Sequence, residues 1–431
     1  MNQPTPGTPS LLRAINDRAA LRALLERGPL TRPEIGALTG LSKPTASQLL
    51  IRLQEAGLVV LDGIREGLPG RTAEVYRLNP DAAHVAALDV KRAGIDVRIA
   101  DITGTVVGEH HLPTPGRSGG DAVERVRAAL EGAGARLATA PAPTSAPAAT
   151  TATPATPATL PIPAATVTAA TIRCAVIGVE GAIDPGTGRL AYATRKDMPG
   201  WQIPDLVRTL GDGLGMPVAV ENNVNLVAQA EQAHGAGRGH RDFVLLWADE
   251  GLGSALVLGG RLHRGATGGA GEVGYMPTPG APTARETGRY ANHGYQALTG
   301  GPAVLKILRS YGVRGTGPAQ AVRNAVRTAA STGARADDAR AGLRDVASRL
   351  AVGLAAITSV VDPGIIVLTG GTLLAGGDTL RGLVEHELHA LTIPRPPLVL
   401  STVEGNPVLA GALDLALATA REEVFGSTVP S

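Results

Sequence analysis

The run from Pro29 to Tyr76, PLTRPEIGALTGLSKPTASQLLIRLQEAGLVVLDGIREGLPGRTAEVY, has little freedom in what it can fold into, because start and stop signals punctuate it at short intervals. Upstream, Leu11, Leu12, Ile15, Leu21, Leu24 and Leu25 recur at helical spacing and end at Gly28-Pro29, where a first helix must stop. Thr31 predicts the N-cap of a short second helix. Pro33 falls in its first turn, where a missing N–H costs nothing, and Glu34 stands three residues after Thr31 as in a capping box. Gly40 breaks that helix. Ser42 caps a third, whose Leu49, Leu50 and Leu53 form an apolar stripe up to Gly57. Val59 to Asp62 and Glu74 to Leu78 read as two strands around the turn GLPGR. The order predicts a winged helix-turn-helix over residues 1–80.

In such a module the recognition helix enters the major groove and its N-terminal residues touch base edges. Here these are Ser42, Lys43, Pro44, Thr45, Ser47 and Gln48, with Arg52 one turn further on expected at the phosphate backbone. Arg65 and Arg71 flank the wing glycines and are expected at the minor groove, where the negative potential favours arginine. The plainer reading is a small helical domain for protein contact with a merely solvated polar helix. Residues 11–78 carry ten Lys/Arg against seven Asp/Glu, while the rest carries 30 against 31. So small an excess leaves DNA affinity to specific groove contacts rather than to a broad basic patch.

At 431 residues the chain exceeds what one core usually spans. With 44% hydrophobic and 18% charged residues it reads as globular. No apolar run approaches the roughly 18 to 20 residues a spanning helix needs, and MNQPTPGTPS has neither a basic start nor an apolar stretch. A cytoplasmic protein without membrane contact is expected. Cys174 is the only cysteine, which excludes an internal disulfide and a cysteine-built zinc site within one chain.

From Val85 strands and helices alternate: VAALDV, GIDVRIADITGTVV, the helix DAVERVRAALEGAGAR, then CAVIGVEG, MPVAVENN and so on to a final helix around Ala410 to Glu422. This is α/β grammar. Leu137 to Ile172 interrupts it with thirty-six uncharged residues rich in Ala, Thr and Pro, seven of them proline, and reads as a disordered insertion or, more sharply, a binding tether.

VENNVNLVAQAEQAHGAGRG, VLGGRLHRGATGGAGEVGYM and VDPGIIVLTGG, in that order and spacing, resemble the ROK family of repressors and sugar kinases, over about Arg13 to Glu422 apart from the insertion. The resemblance implies a two-lobed actin-like, ribonuclease-H-like α/β body behind the winged module. Lobe 1 is then expected over 81–220 and lobe 2 over 221–431, with the C-terminal helix packing back on lobe 1. The winged segment points to the regulator branch.

The resemblance also says which chemistry to look for. A ROK kinase uses an Asn-Asp pair whose aspartate takes the proton from the sugar hydroxyl; here the pair is Asn222-Asn223, and an amide cannot be the general base. Asn223 is then either the trace of a lost base or simply a helix cap. The family's D-x-G-G-T phosphate turn is Asp89-Val90-Lys91-Arg92-Ala93, and its G-T-G-x-G loop is Asp249-Glu250-Gly251-Leu252-Gly253, with two carboxylates to repel a triphosphate. The zinc histidine of G-E-x-G-H is Tyr275, and no cysteine follows. No catalytic residue, cofactor or metal is expected, with His293 a loop residue rather than a ligand.

Glu180, Gly181, Asn222, Asn223, Glu272, Tyr275 and Gln296 are expected to line an altered polar pocket for a small sugar-like effector. The competing expectation is a cleft held shut with no effector. The reading is a DNA-binding regulator, in the first instance a repressor, acting as a homodimer or tetramer on a palindromic operator. Its rivals are an effector-independent regulator controlled by a protein partner and an active sugar kinase.

Overall fold

In the computed structural model of the chain, residues 9–66, 72–114, 121–139, 171–193, 198–288 and 291–426 are described. The GLPGR tip with Arg71, and residues 140–170 of the Ala/Thr/Pro stretch, lie outside them.

The front module consists of α1 (Pro9–Arg27), β1 (Leu30–Thr31), α2 (Arg32–Thr39), α3 (Lys43–Glu55), β2 (Val59–Glu66) and β3 (Thr72–Leu78). The caps fall where local chemistry puts them. Thr31 and Glu34 form a reciprocal capping box, Gly40 closes α2 in the left-handed conformation, and Ser42 caps α3. Both strands run longer than the sequence suggested, because pairing from Val59↔Leu78 to Glu66↔Thr72 continues through Gly63, Arg65 and Glu66, which favour no strand on their own. The two-residue β1, which pairs Leu30 with Tyr76, completes a sheet of order β1-β3-β2. Leu21, Leu24, Ile35, Leu49, Leu50 and Leu53 fill the core.

The body begins with β4 (His84–Lys91), β5 (Gly94–Asp101), β6 (Val106–Pro113), α4 (Ala122–Thr139), β7 (Ile172–Val179), β8 (Ala182–Ile183), β9 (Leu190–Ala191), α5 (Leu206–Leu214) and β10 (Val218–Asn222). Its sheet has the order β10-β7-β4-β5-β6, with β10, β7 and β4 parallel. All but the last residue of β4 are buried, as expected for a central strand covered on both faces. The expected insertion boundaries need trimming, since Leu137 to Thr139 still belong to α4 and Ile172 opens β7. The expected division at 220/221 falls inside β10, which runs to Asn222.

After α6 (Asn223–His234) come β11 (Phe243–Ala248), β12 (Leu252–Leu258), β13 (Arg261–His263), α7 (Ala284–Thr287), α8 (Gly294–Thr299), α9 (Gly301–Ser310), α10 (Pro318–Ala329), α11 (Ala334–Val361), β14 (Ile365–Thr369), α12 (Gly371–Leu391), β15 (Leu398–Leu400) and α13 (Pro407–Gly426). The second sheet has the order β13-β12-β11-β14-β15. α13 packs against α6, β4 and β7. The helices approach so closely that a Cβ on Gly411 would run into the Leu226 carbonyl. α13 also reaches the front module, where Arg18 lies 3.7 Å from Glu422. One apolar core runs from Leu21 and Leu24 through Val85 and Val176 to Phe425. No described helix is long and apolar enough to cross a membrane.

Candidate nucleic-acid interface and cleft site

α3 turns Ala46, Leu49, Leu50 and Leu53 inward and leaves Ser42, Lys43, Pro44, Thr45 and Gln48 exposed. The Ser42 and Thr45 hydroxyls lie 2.8 Å apart and share a hydrogen bond, which fixes their rotamers at the helix entrance. Ser47, read as a base contact, is instead spent internally: its hydroxyl donates to the Lys43 carbonyl at 3.0 Å and accepts from Arg32 Nη1 at 3.3 Å. Arg32, which the sequence reading passed over, also reaches the Glu74 carboxylate at 2.7 Å. It thereby couples the recognition helix to the wing strand. Only its position at the start of α2 could have flagged it.

Two arginines expected at DNA make ion pairs within the front module. Arg52 Nη2 is 2.7 Å from Oδ1 of the buried Asp17, so it ties α3 to α1. Burial pushes the Asp17 carboxyl up, and the Arg52 hydrogen bond pulls the other way. Arg65 Nη1 lies 2.9 Å from Glu34, with Nη2 toward the Pro29 carbonyl, so the guanidinium is held on the body of the module. The Thr31 N–H and hydroxyl already hold the Glu34 carboxyl below the usual range, leaving it ionised for Arg65. We expect Arg52→Ala to cost about 1–3 kcal/mol of stability, because it strands a buried carboxylate. The salt dependence of DNA affinity should stay unchanged, whereas loss of a phosphate contact would reduce the slope by about one. Thermal melts and binding over a salt series read the two quantities separately.

In the body, Asn222 caps α6, accepting from the Val224 N–H at 2.8 Å and the Asn225 N–H at 3.1 Å. The cap is therefore Asn222, not Asn223, which is the first helical residue and whose Oδ1 also accepts from Val224. The Asn222 amide donates to the Gly181 carbonyl at 2.8 Å. Gly181 has φ +93°, and a Cβ there would press on the Ala191 carbonyl, so only glycine serves this turn beside Glu180. Glu221 accepts from Asn225 at 2.9 Å and pairs at 2.6 Å with Arg264, which follows β13, so one ion pair straps the two sheets together across the cleft.

Tyr275 ends the short helical turn that opens at Val273. Its ring lies 5.5 Å from His293 and 6.4 Å from Tyr192, and its hydroxyl points to the Tyr192 carbonyl at 3.5 Å. His293 is a loop residue as expected, but a buried one. A phenol and one histidine with no nearby thiol do not make a zinc donor set, and among the described residues no group of three His, Cys, Asp or Glu is arranged around a metal. Gln296 braces the loop before β12: its Oε1 accepts from the Leu252 N–H at 2.7 Å and its amide donates to the Glu250 carbonyl. Among the described residues the Glu272 side chain has no hydrogen-bond partner, and burial pushes its carboxyl up to about 7.

The two turns expected to have lost the family's phosphate loops carry the chain's own charges. Arg92 and Ala93 form the tight turn between β4 and β5, and Lys91 Nζ sits 2.7 Å from the buried Asp89 and 3.0 Å from Asp96. Asp249 receives the Gly371 N–H at the first turn of α12, where burial raises its carboxyl pKa and that bond lowers it. A carboxylate at this helix terminus occupies the place where a phosphate would be favoured. A nucleotide does not fit these groups.

Comparison with known proteins agrees with this architecture. A profile described as ROK family matches residues 145–418, and a MarR family profile matches residues 15–66. The bifunctional enzyme NanE/NanK of Brucella suis is 36% identical over 217 residues, covering 49% of this chain; the chain spans only 37% of that enzyme's length. A putative xylose repressor of Caldicellulosiruptor is 23% identical over 369 residues, 84% of each chain. A ROK family transcriptional regulator described as a homolog of the E. coli MLC protein superposes with TM-score 0.67 at 16% identity, over 97% of this chain and 99% of its own. The ROK hexokinase of Thermus thermophilus gives 0.57 at 24% identity over 79% and 99%. These structural likenesses establish the fold. With the profile matched over more than half its length, and with the two-sheet body and GEVGY loop in place, the chain belongs to the ROK family.

Proposed function

We propose that the protein is a DNA-binding transcriptional regulator, a repressor in the first instance, whose ROK body serves assembly and sensing and does not transfer phosphoryl groups. The observation that carries this is the capped, exposed N-terminal face of α3 held against a wing by Arg32. The likeness to the xylose repressor over 84% of both chains supports the reading. Asn223 at the position of the base, Lys91 and Asp249 at the phosphate turns, and Tyr275 at the zinc position support a body without kinase activity. Two winged modules on a two-fold axis would read a palindromic operator, with half-sites whole helical turns apart.

Gel-shift titration of the full chain against DNA from its own promoter region tests this. Lys43→Ala with Gln48→Ala should weaken binding by roughly 10-fold or more, given about 1–3 kcal/mol for a bidentate base contact. Wild-type affinity in the double variant, or phosphorylation of a hexose by the purified protein, would overturn the proposal. One observation favours a second reading, a regulator that needs no small effector: Gln296 and Glu221 are spent on internal contacts. Thermal-shift screening against mono- and disaccharides and their phosphates decides it, since a sugar that both stabilises the protein and alters DNA affinity removes the second reading.

A further inference from the structure

We propose that Ile51 reads a thymine 5-methyl group in the major groove, an inference that rests on the DNA-binding reading above and names a determinant of its specificity. α3 buries Ala46, Leu49, Leu50 and Leu53. At 3.6 residues per turn, the line directly opposite that stripe is Pro44, Gln48, Ile51 and Glu55, and all four are exposed. A lone exposed isoleucine is ordinary on a protein surface. This one, 54% exposed, lies on the outermost line of the recognition helix, one turn from Gln48 and two from Pro44.

The occupant follows from what the other side chains are doing. α3 has only two cations; Arg52 is bound to Asp17, and the neighbouring Arg32 and Arg65 are bound to Glu74 and Glu34. No arginine of this helix is left for the bidentate recognition of guanine. Lys43, with no ion pair among the described residues, supplies positive charge at the helix entrance, which suits a polyanion rather than an apolar protein partner. The groups free to meet base edges along the line are therefore one amide and two apolar side chains. An amide suits the N6 and N7 of adenine, and apolar side chains suit the methyl that only thymine presents in the major groove. Glu55 ends the line, since a carboxylate there is repelled by phosphates.

The test begins by selecting a preferred duplex with the full chain from a randomised library. Each thymine of one half-site is then replaced by deoxyuridine, which removes the methyl and keeps the pairing. Wild type should lose about fourfold in affinity at one position, the effect of a single methyl taken out of contact. Ile51→Ala, which changes an exposed residue, should show no loss at that position and keep any losses elsewhere. If the uracil penalties of Ile51→Ala match those of wild type at every position, or if wild type shows none, the inference is overturned while the DNA-binding reading stands. Weaker self-association of Ile51→Ala with unchanged penalties would assign the residue to contact between copies and overturn it equally. Failure to select any duplex would remove the DNA-binding reading, and this inference with it.

Discussion

Gly411→Ala is expected to lower stability by about 3 kcal/mol or more. The added carbon would meet the backbone carbonyl of Leu226, which cannot rotate away as a side chain would. Relief requires α13 to back off from α6, and Gly178, already tight against Val408 and Leu226, leaves no slack on the sheet side. Overpacking of this kind typically costs 1–3 kcal/mol and more where backbone must move. For a cooperative unit of 150–250 residues, 3 kcal/mol lowers Tm by roughly 6–12 °C. Gly382→Ala is the internal control of opposite sign. That glycine lies in α12 with nothing within 4 Å of its missing Cβ, so alanine there should stabilise by about 0.5–1 kcal/mol. Differential scanning calorimetry of the two variants checks both; a Gly411→Ala melt equal to wild type would show that the helices do not meet as described.

The second large effect belongs to Glu272. Its carboxyl is raised from 4.5 to about 7 by burial, and no hydrogen bond among the described residues compensates it. The folded protein therefore holds this proton more tightly than the unfolded chain does. The corresponding stability is fully present below about pH 4.5 and is lost as pH rises through about 7. At 1.36 kcal/mol per pKa unit the loss is on the order of 3 kcal/mol. Glu272→Gln should abolish it, leaving the variant more stable than wild type at pH 8 and equal to it near pH 4.5. Because Asp17, Asp249 and Asp414 are also raised, the difference between the two pH profiles isolates Glu272. Parallel profiles would refute the assignment.

What the sequence could and could not announce follows the range of the interactions. Thr31, Glu34, Gly40 and Ser42 act within one turn of themselves, so spacing along the chain sufficed to place the caps. The short β1 was illegible, since its partner strand lies over forty residues away. Arg52 and Arg65 looked free because nothing in their neighbourhood of the chain shows that folding brings Asp17 and Glu34 to them. The bracing role of Gln296 was hidden for the same reason: its partners, Glu250 and Leu252, come from another loop. Asn222 and Asn223 were one residue apart, and which of them caps depends on where β10 ends, a boundary that pairing with β7 decides. The altered GEVGY loop and charged phosphate turns were legible because they are contiguous departures from a contiguous pattern.

The continuous apolar core between α1 and α13 has a mechanical meaning. A reader on a loose tether would swing freely whatever happened behind it. Here Leu21 and Leu24 share one oily mass with Val85 and Phe425, and the Arg18–Glu422 pair stands at its edge, so the shoulder of the reader is welded to the last helix. A tilt of that helix against the first sheet would therefore have to repack the base of the reader as well.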